Sequence, residues 1–206
     1  MLKQIFFLFI VRPIILIIAG VNLKGKENLP LDGPCIIAAN HNSHIDTMVL
    51  LSLFPISKIA KVRPVAAADY FLKNKFFAWF SKYLIGIIPL ERKPKKGMSH
   101  PLAEVEESLR KSEIVIVFPE GSRGEAEEMG AFKTGVAHLA KEFPEVPVVP
   151  IYMHGAGKCL PKGEALFVPF IIDVNVSTPI YYDDANNKEF TKRLEQQIKS
   201  LEWVKQ

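Results

Sequence analysis

Short apolar runs alternate with longer helical patterns along the chain. Residues 34–39, 64–68, 114–118 and 146–153 are rich in branched or small apolar residues and are bounded by polar residues, glycine or proline. Runs of this length and composition predict buried β-strands. Residues 165–176 are expected to add one or two further strands.

The segments between these runs have apolar residues at helical spacing. Helices are predicted over residues 46–54, 69–84, 101–111 and 133–143, and a C-terminal amphipathic helix is marked by Phe190, Leu194, Ile198 and Leu201. Strands that alternate with helices are typical of an α/β fold. With 206 residues, we expect a single domain with a mixed, mostly parallel sheet flanked by helices.

Residues 1–23 are set apart by their apolar character. Residues 5–11 and 14–21 flank Arg12 and Pro13, and together they approach the roughly 20 residues of a membrane-spanning helix. A central arginine costs about 2.5–3.5 kcal/mol on insertion, and Pro13 interrupts the helix hydrogen bonds. Arg12 also argues against a signal peptide. We therefore expect a hydrophobic membrane anchor lying in one leaflet, with a spanning helix as the alternative.

The amino-acid composition limits the classes of binding partner that we expect. Hydrophobic residues make up 49% of the chain and the formal net charge is +4, which suits an anionic lipid surface or nucleic acid. Because no nucleic-acid-binding module is recognisable, no nucleic-acid partner is expected. Cys35 and Cys159 form no disulfide framework or metal motif and are predicted to be reduced core residues, which favours the cytoplasmic face.

Residues 57–83 combine basic and aromatic side chains. The basic residues are Lys58, Lys61, Arg63, Lys73, Lys75 and Lys82, and they are interleaved with Tyr70, Phe71, Phe76, Phe77, Trp79, Phe80 and Tyr83. Asp69 is the one acid of this stretch. This composition indicates a surface for an anionic membrane; the alternative is a core helix with a solvated cationic side.

His41 follows the first predicted strand, and Asp46 comes five residues later. A carboxylate near a histidine fixes the tautomer of the ring and stabilises the imidazolium, so this pair suits a general base acting on a substrate hydroxyl. Ser43 is placed to cap the helix that contains Asp46. Two alternatives stay open: Asp46 as a partner of the helix dipole, or a metal site that adds His44.

Two further segments suit an anionic ligand. Residues 118–124 read Phe-Pro-Glu-Gly-Ser-Arg-Gly, a turn whose glycines allow close backbone approach and whose amides, beside Arg123, could hold a phosphate. This turn matches neither a nucleophile elbow nor a P-loop. Arg92 ends the apolar run 86–90 and could bind phosphate through its guanidinium. Taken alone, residues 118–124 are equally consistent with an ordinary glycine-rich turn, and Arg92 is equally consistent with a surface cation.

Taken in order, these segments resemble the glycerolipid acyltransferases typified by 1-acyl-glycerol-3-phosphate acyltransferase. The matching blocks are His-x4-Asp at residues 41–46, Gly-Ile-Ile-Pro-Leu-Glu-Arg at 86–92, Phe-Pro-Glu-Gly-Ser-Arg at 118–123 and Val-Pro at 149–150. Phe-Lys-Thr-Gly at 132–135 is also similar to that family. The resemblance spans roughly residues 24–180, and the order and spacing of the blocks make it specific.

This resemblance implies a role for each matching residue. His41 would be the general base and Asp46 its orienting carboxylate, both within a catalytic domain at residues 24–206. The acceptor phosphate would be bound by Arg92, Gly121, Ser122 and Arg123, and Glu120 would shape the acceptor site. His44 adds a second imidazole inside the first block. The implied fold is that of glycerol-3-phosphate acyltransferase.

The implied reaction moves a fatty acyl group from acyl-CoA or acyl carrier protein to the free hydroxyl of a lysophospholipid. The favoured acceptor is 1-acyl-glycerol 3-phosphate, giving phosphatidic acid at the cytoplasmic face of a membrane. No cofactor beyond the acyl thioester co-substrate is implied, and a hydrophobic tunnel for the acyl chain is expected. The alternatives are another acceptor, such as glycerol 3-phosphate or another lyso-lipid, and a non-catalytic lipid-binding protein.

Overall fold

The computed structural model describes residues 1–71, 74–91, 100–125, 127–160, 168–183 and 186–202. Within them, seven strands form one sheet: β1 (Val21–Lys24), β2 (Cys35–Ala39), β3 (Val62–Ala67), β4 (Ile88–Leu90), β5 (Ile114–Val117), β6 (Val148–His154) and β7 (Ile172–Val176). Their order across the sheet is β1-β7-β6-β2-β5-β3-β4. Only the β6–β7 pair in this sheet is antiparallel, so the predicted mixed, mostly parallel sheet is confirmed.

Helices cover both faces of the sheet. They are α1 (Leu2–Phe6), α2 (Arg12–Ile18), α3 (Ile45–Ser52), α4 (Ala68–Phe71), α5 (Lys75–Phe80), α6 (Ala103–Arg110), α7 (Gly135–Glu142), α8 (Ala156–Cys159) and α9 (Asn187–Ser200), with π-helical turns at Phe7–Val11 and Ser81–Ile85. The N-terminal helices, α3 and α8 pack on one face, and α6, α7 and α9 pack on the other. The helix predicted over residues 69–84 is divided between α4, α5 and the second π-helical turn.

The central strand β2 shows why the buried strands read as continuous apolar runs. Cys35, Ile37 and Ala39 enter the core on the α3 face, whereas Ile36 and Ala38 enter the core on the α7 face. A parallel strand between two helical layers has no solvated side, so both alternating positions are apolar. Burial raises the pKa of the Cys35 thiol to about 12, which keeps this cysteine protonated.

The N-terminal segment continues as a helix through the interruption expected at Pro13. The π-helical turn Phe7–Val11 lies directly before α2, and such a turn accommodates the missing proline N–H. Phe7, Val11 and Ile15 form a buried stripe against the α3 face. The exposed side of the segment is also apolar, with Leu2, Ile5, Leu8, Phe9, Ile10, Ile14 and Ile17. Among the described residues, no helix has both the length and the hydropathy needed to cross a bilayer.

Two cations bond this segment to the rest of the molecule. Lys3 Nζ donates to the Val62 carbonyl at 2.6 Å, and burial, followed by the nearby Arg63 charge, lowers the Lys3 pKa to about 7. Arg12 donates to the carbonyls of Ser52 and Phe54, where α3 ends. A cation at a helix C-terminus interacts favourably with the helix dipole. Arg12 therefore connects the apolar segment to the helix that contains Asp46.

The sequence pattern missed strands β1 and β4. β1 pairs with β7, and the boundary expected between residues 23 and 24 falls inside it. β4 lies within residues 86–92, a segment for which the sequence predicted an apolar run and a possible phosphate contact but no strand. Of the strands expected within residues 165–176, the structure has β7; residues 165–167 lie outside the described part of the chain.

Candidate active site

The predicted base and its carboxylate are in contact. His41 lies just beyond the carboxyl end of β2, and Asp46 lies in the first turn of α3. His41 Nδ1 is 2.9 Å from Asp46 Oδ2. Asp46 is 1% exposed, whereas the His41 side chain is 18% exposed. The arrangement therefore presents the imidazole to the surface while its carboxylate partner stays buried.

The same Asp46 oxygen is held by the backbone. The N–H groups of Asn42 and Ser43 donate to Oδ2 at 2.7 and 2.8 Å. The predicted cap at Ser43 is present in part: α3 begins after His44, which makes no side-chain cap hydrogen bond, but the Ser43 hydroxyl accepts from the Ile45 N–H at 3.4 Å. The same hydroxyl donates to the Leu160 carbonyl at 2.7 Å. Asp46 reaches back from the first turn of α3 to the N–H groups that precede the helix, and this fixes the carboxylate beside His41.

The contacts of His41 determine its chemistry. A carboxylate can only accept, so Nδ1 carries the proton and Nε2 keeps the lone pair of a base. The ring stacks on Phe118, with ring centres 4.0 Å apart and planes 17° apart. This stacking fixes the ring orientation from the β5 side. An imidazole oriented in this way can take a proton from a bound hydroxyl and hold the positive charge beside Asp46.

Glu120 supports the backbone of His41. Its Oε1 accepts from the His41 N–H at 2.8 Å and its Oε2 accepts from the Gly130 N–H at 2.9 Å. Burial raises the pKa of Glu120, while hydrogen bonds from Gly130 and His41 oppose that shift. Glu120 had been expected to shape the acceptor site, and the structure has it joining the β5–α7 loop to residue 41.

Asn40 joins the two central strands beyond the end of their ladder. Its side chain donates to the Met153 carbonyl at 2.9 Å and accepts from the Met153 N–H at 2.7 Å. The Asn40 side-chain amide makes the same two hydrogen bonds that the backbone of a neighbouring strand would make, so it holds the ends of β2 and β6 together. Asn40 thus fixes the point at which the chain turns toward His41.

A cavity of about 700 Å³ opens beside His41. Its polar wall includes His41, His44, Thr47, Asp69, Gly121, Ser122 and Arg123. Its apolar wall includes Met48, Val65, Ala66, Ala67, Phe77, Phe80, Ile85, Ile87 and Leu90. β2, β5, β3 and β4 are consecutive in the sheet, so the cavity runs across their carboxyl ends, where parallel α/β sheets bind ligands. Its volume is that of a small-ligand site.

His44 and Arg123 belong to the polar wall. Burial lowers the pKa of His44, and the charges of Arg123 and His41 lower it further. Arg92 lies outside the described residues, so the second cation expected at the acceptor phosphate has no position here. In the part of the chain that the structure describes, no group of three His, Cys, Asp or Glu side chains could hold a metal ion.

Comparison with known proteins identifies the family of this chain. A family model for acyltransferases matches residues 20–154, which span His41, Asp46 and the turn at residues 121–123. The chain belongs to the acyltransferase family. The resemblance inferred from the ordered sequence blocks is thus confirmed.

Several relatives of this acyltransferase have names that specify a reaction. This chain is 32% identical over 176 residues to the chloroplastic 1-acyl-sn-glycerol-3-phosphate acyltransferase of Brassica napus, and the match covers 81% of this chain and 49% of the relative. This chain is also 31% identical over 168 residues to the 1-acyl-sn-glycerol-3-phosphate acyltransferase of Pseudomonas aeruginosa, and that match covers 80% of this chain and 62% of the relative. The chain spans about half the length of the first of these relatives.

The fold of this acyltransferase is also found in a solved structure. The crystal structure of the 1-acyl-sn-glycerophosphate acyltransferase of Thermotoga maritima superposes with a TM-score of 0.76, covering 96% of this chain and 77% of the other. The two sequences are 24% identical. This likeness confirms the α/β architecture expected from the sequence.

Sequence reasoning missed several contacts of the candidate active site. Phe118 was placed in a predicted strand and in the Phe-Pro-Glu-Gly-Ser-Arg block without a role of its own, and no role was predicted for His154. His154 Nδ1 is 2.6 Å from Glu127 Oε2, which makes another histidine–carboxylate pair. Asn40, directly before His41 at a strand end, was the signal that could have identified a strand-joining amide.

Proposed function

We propose that this protein is an O-acyltransferase that moves a fatty acyl group from an acyl thioester to the free hydroxyl of 1-acylglycerol 3-phosphate, giving phosphatidic acid. The observation that carries the proposal is the oriented His41–Asp46 pair on the wall of a cavity that is polar and cationic on one side and apolar on the other. The names of the relatives, both of them 1-acyl-sn-glycerol-3-phosphate acyltransferases, support this acceptor.

In the proposed reaction, the acceptor hydroxyl lies against Nε2 of His41. His41 takes the hydroxyl proton as the oxygen attacks the thioester carbon and forms the new C–O bond. The tetrahedral oxyanion collapses, the C–S bond breaks and the thiolate leaves, and the imidazolium returns its proton to the departing sulfur or to solvent. A thiol with a pKa of about 8.5 is a good leaving group and needs little acid assistance.

The polar wall of the cavity suits the phosphate of the acceptor. Arg123 supplies positive charge, and Gly121 has φ of 72°, a backbone conformation that favours glycine. The Gly121 N–H donates to the Phe118 carbonyl at 3.0 Å and so belongs to the turn itself. Ser122 has a small side chain, which allows a phosphate to approach its backbone. Arg92 is expected to add a second cation, as the sequence resemblance implies.

The apolar wall of the cavity suits the acyl chain. Ala66 and Ala67 from β3 present small side chains to this wall, whereas Phe77, Phe80 and Leu90 present large ones. We therefore assign the expected hydrophobic tunnel to this part of the cavity.

Replacing Ala66 by phenylalanine is expected to shorten the acyl chain that the enzyme prefers. The ring would fill part of the apolar wall, so kcat/KM for palmitoyl-CoA should fall about 10-fold relative to a short-chain donor such as octanoyl-CoA. Initial rates over a series of acyl-CoA lengths provide the measurement. Ala60→Phe, at an exposed position outside the cavity, is the matched control. An unchanged chain-length profile in Ala66→Phe would remove this wall from the acyl site.

A docking face for a membrane surface lies beside the cavity. It consists of the exposed apolar side chains of residues 2–17 together with Phe76, Phe77, Trp79 and Tyr83. The two parts are neighbours, because the Phe6 ring packs edge-on against Phe80 at 5.4 Å. Phe77 belongs both to this face and to the cavity wall, so a lipid substrate could pass from bilayer to site without crossing water.

Charge on the docking face favours an anionic membrane. Lys75 and Lys82 are exposed on the same helical segment as Trp79, and a cation near an anionic leaflet contributes about 1 kcal/mol. Residues 1–23 would anchor the catalytic domain of residues 24–206 without spanning the bilayer. This arrangement supports a location at a membrane surface.

Removing two aromatic residues of the docking face is expected to weaken membrane binding. Phe76 is 72% exposed and Trp79 is 46% exposed, so a Phe76→Ser/Trp79→Ser variant should fold normally. Its partitioning onto vesicles should fall about 10-fold or more, because each inserted aromatic side chain contributes on the order of 1.5–3 kcal/mol when fully buried. Flotation with phosphatidylglycerol-containing liposomes gives the bound fraction.

Tyr181→Ser is the matched control for this experiment. Tyr181 is 52% exposed, and its carbonyl accepts from Arg193 of α9, on the other face of the sheet. Equal losses in the two variants, or no binding by the wild-type chain, would contradict the assigned docking face.

The activity itself is tested by thiol release from palmitoyl-CoA with and without lysophosphatidic acid, in detergent or vesicles. Acceptor-dependent release is the expected result. Release with glycerol 3-phosphate or another lyso-lipid instead would change the acceptor but keep the reaction. If neither palmitoyl-CoA nor palmitoyl–acyl carrier protein gives thiol release with any of these acceptors, the proposed reaction is wrong and the non-catalytic lipid-binding alternative is favoured.

A further inference from the structure

Glu127 stands out by its backbone conformation. Its φ is 65°, in the left-handed region that side chains other than glycine rarely adopt. Within the described residues, Ser112 is the one other non-glycine residue with positive φ. A residue persists in this conformation when surrounding contacts hold it there, and such residues concentrate at functional sites.

The contacts that hold Glu127 lie at the end of β6. Its Oε2 accepts from the Gly155 N–H at 3.0 Å and lies 2.6 Å from His154 Nδ1. The side chains of Glu127 and His154 are 15% and 25% exposed, so water screens this pair only partly. Position 155 has φ of 90° and requires glycine, because a Cβ there would lie 2.3 Å from the Ile171 carbonyl oxygen. The Glu127 carboxylate thus meets two donors at the end of β6.

Glu127 belongs to the loop that joins β5 to α7, and this loop contains the turn at residues 121–123. On the side nearer His41 the loop is held by Glu120, which accepts from the His41 N–H, and by the Gly124 N–H, which donates to the His41 carbonyl at 2.9 Å. Glu127 holds the far side of the loop to β6. Asn40 joins the ends of β2 and β6, so both attachments belong to one rigid frame.

We propose that Glu127 is a positioning residue for the acceptor: its carboxylate, held by His154 and the Gly155 N–H, sets the position of residues 121–123 relative to His41. This inference rests on the proposed function, because those residues are assigned there to the acceptor phosphate. Glu127 itself is not among the residues of the cavity wall. Losing its carboxylate should therefore act on acceptor binding and leave the base and the acyl-chain site in place.

The expected result for Glu127→Ala is a KM for lysophosphatidic acid raised about 10-fold, with kcat at saturating acceptor and the KM for palmitoyl-CoA changed less than twofold. Glu127→Gly distinguishes the effect of losing the carboxylate from the effect of changing the backbone conformation, because glycine adopts φ of 65° without strain but cannot bind His154. The same rise in KM is expected for glycine. Glu127→Gln keeps an oxygen for the Gly155 N–H and should restore part of the affinity.

Two comparisons make the test specific. His154→Ala should raise the acceptor KM less than Glu127→Ala does, because it removes only one of the two donors to the Glu127 carboxylate. The double variant should be no worse than Glu127→Ala, because Glu127→Ala alone already breaks the contact with His154. Ser112→Gly, the same backbone change at the other left-handed residue, should leave the acceptor KM unchanged. A KM restored by Glu127→Gly, or fully additive effects of Glu127 and His154, would overturn the proposal.

Hydrogen–deuterium exchange tests the attachment without any substrate. In Glu127→Ala and Glu127→Gly, amides of residues 121–125 and 127–131 should exchange at least several-fold faster, while those of α9 should not change. Unchanged exchange would overturn the proposal even with an active enzyme. If the wild-type protein shows no acceptor-dependent thiol release, the proposed function fails, whereas this exchange comparison still decides whether Glu127 holds the loop.

Discussion

Replacing His41 by alanine is expected to lower kcat for acyl transfer to lysophosphatidic acid by about 10²–10⁴-fold, the usual contribution of a general base. The hydroxyl of the acceptor is a poor nucleophile until its proton is removed, and Nε2 of His41 is the oriented base beside the cavity. Thiol release from palmitoyl-CoA measures the loss. The fold should persist, because the His41 side chain lies at the cavity wall and not in the core clusters.

His44→Ala is the matched control for this experiment. His44 lines the same cavity three residues further along the chain, but in the described contacts Asp46 Oδ2 is bonded to the ring of His41. The control should keep at least a large part of the activity. Near wild-type turnover in His41→Ala together with a large loss in His44→Ala would assign the base to His44.

Asp46→Asn is expected to lower kcat by about 10²–10⁴-fold while the protein stays folded. Asparagine has the size of aspartate and keeps an oxygen for the Asn42 and Ser43 N–H groups. It loses the negative charge that stabilises the imidazolium, and its amide can donate to Nδ1 and impose the wrong tautomer. Steady-state kinetics and a thermal melt of the same preparation separate lost chemistry from lost folding.

The control for Asp46 is Asp69→Asn, which removes a carboxylate from the wall of the cavity that His41 also lines. Asp46 acts through its hydrogen bond to His41, so the change at Asp69 should leave kcat within a few-fold of wild type. Equal losses in both variants would mean that the negative charge of the cavity matters, and not the orientation of His41. The acceptor KM of Asp46→Asn should stay near the wild-type value, because Asp46 is buried beneath the base.

The position of the N-terminal segment links the proposed membrane contact to this chemistry. Arg12 donates to the carbonyls that end α3, and Asp46 lies in the first turn of the same helix. One end of α3 is therefore held by the apolar segment, and its other end contains Asp46, the partner of His41. The arginine that argued against a spanning helix in the sequence is a structural contact of the helix that contains Asp46.

Much of the architecture could be predicted from the sequence because it depends on local periodicity. β2, β5 and β6 lie between two helical layers, so their apolar runs are uninterrupted and easily recognised. β1 and β4 were missed because they are the edges of the sheet. Strands of four and three residues at an edge leave only a short or partly polar pattern.

The sequence by itself determined the fold class, the family and the identity of the candidate base, since His41 and Asp46 are five residues apart and meet through a local turn. Only the tertiary structure decided that Glu120 supports the His41 backbone and that Glu127 reaches His154. Those contacts join positions 79 and 27 residues apart, beyond any helical or strand periodicity. They depend on β2, β5 and β6 ending side by side, and the order of strands in a sheet is set by packing of the whole chain.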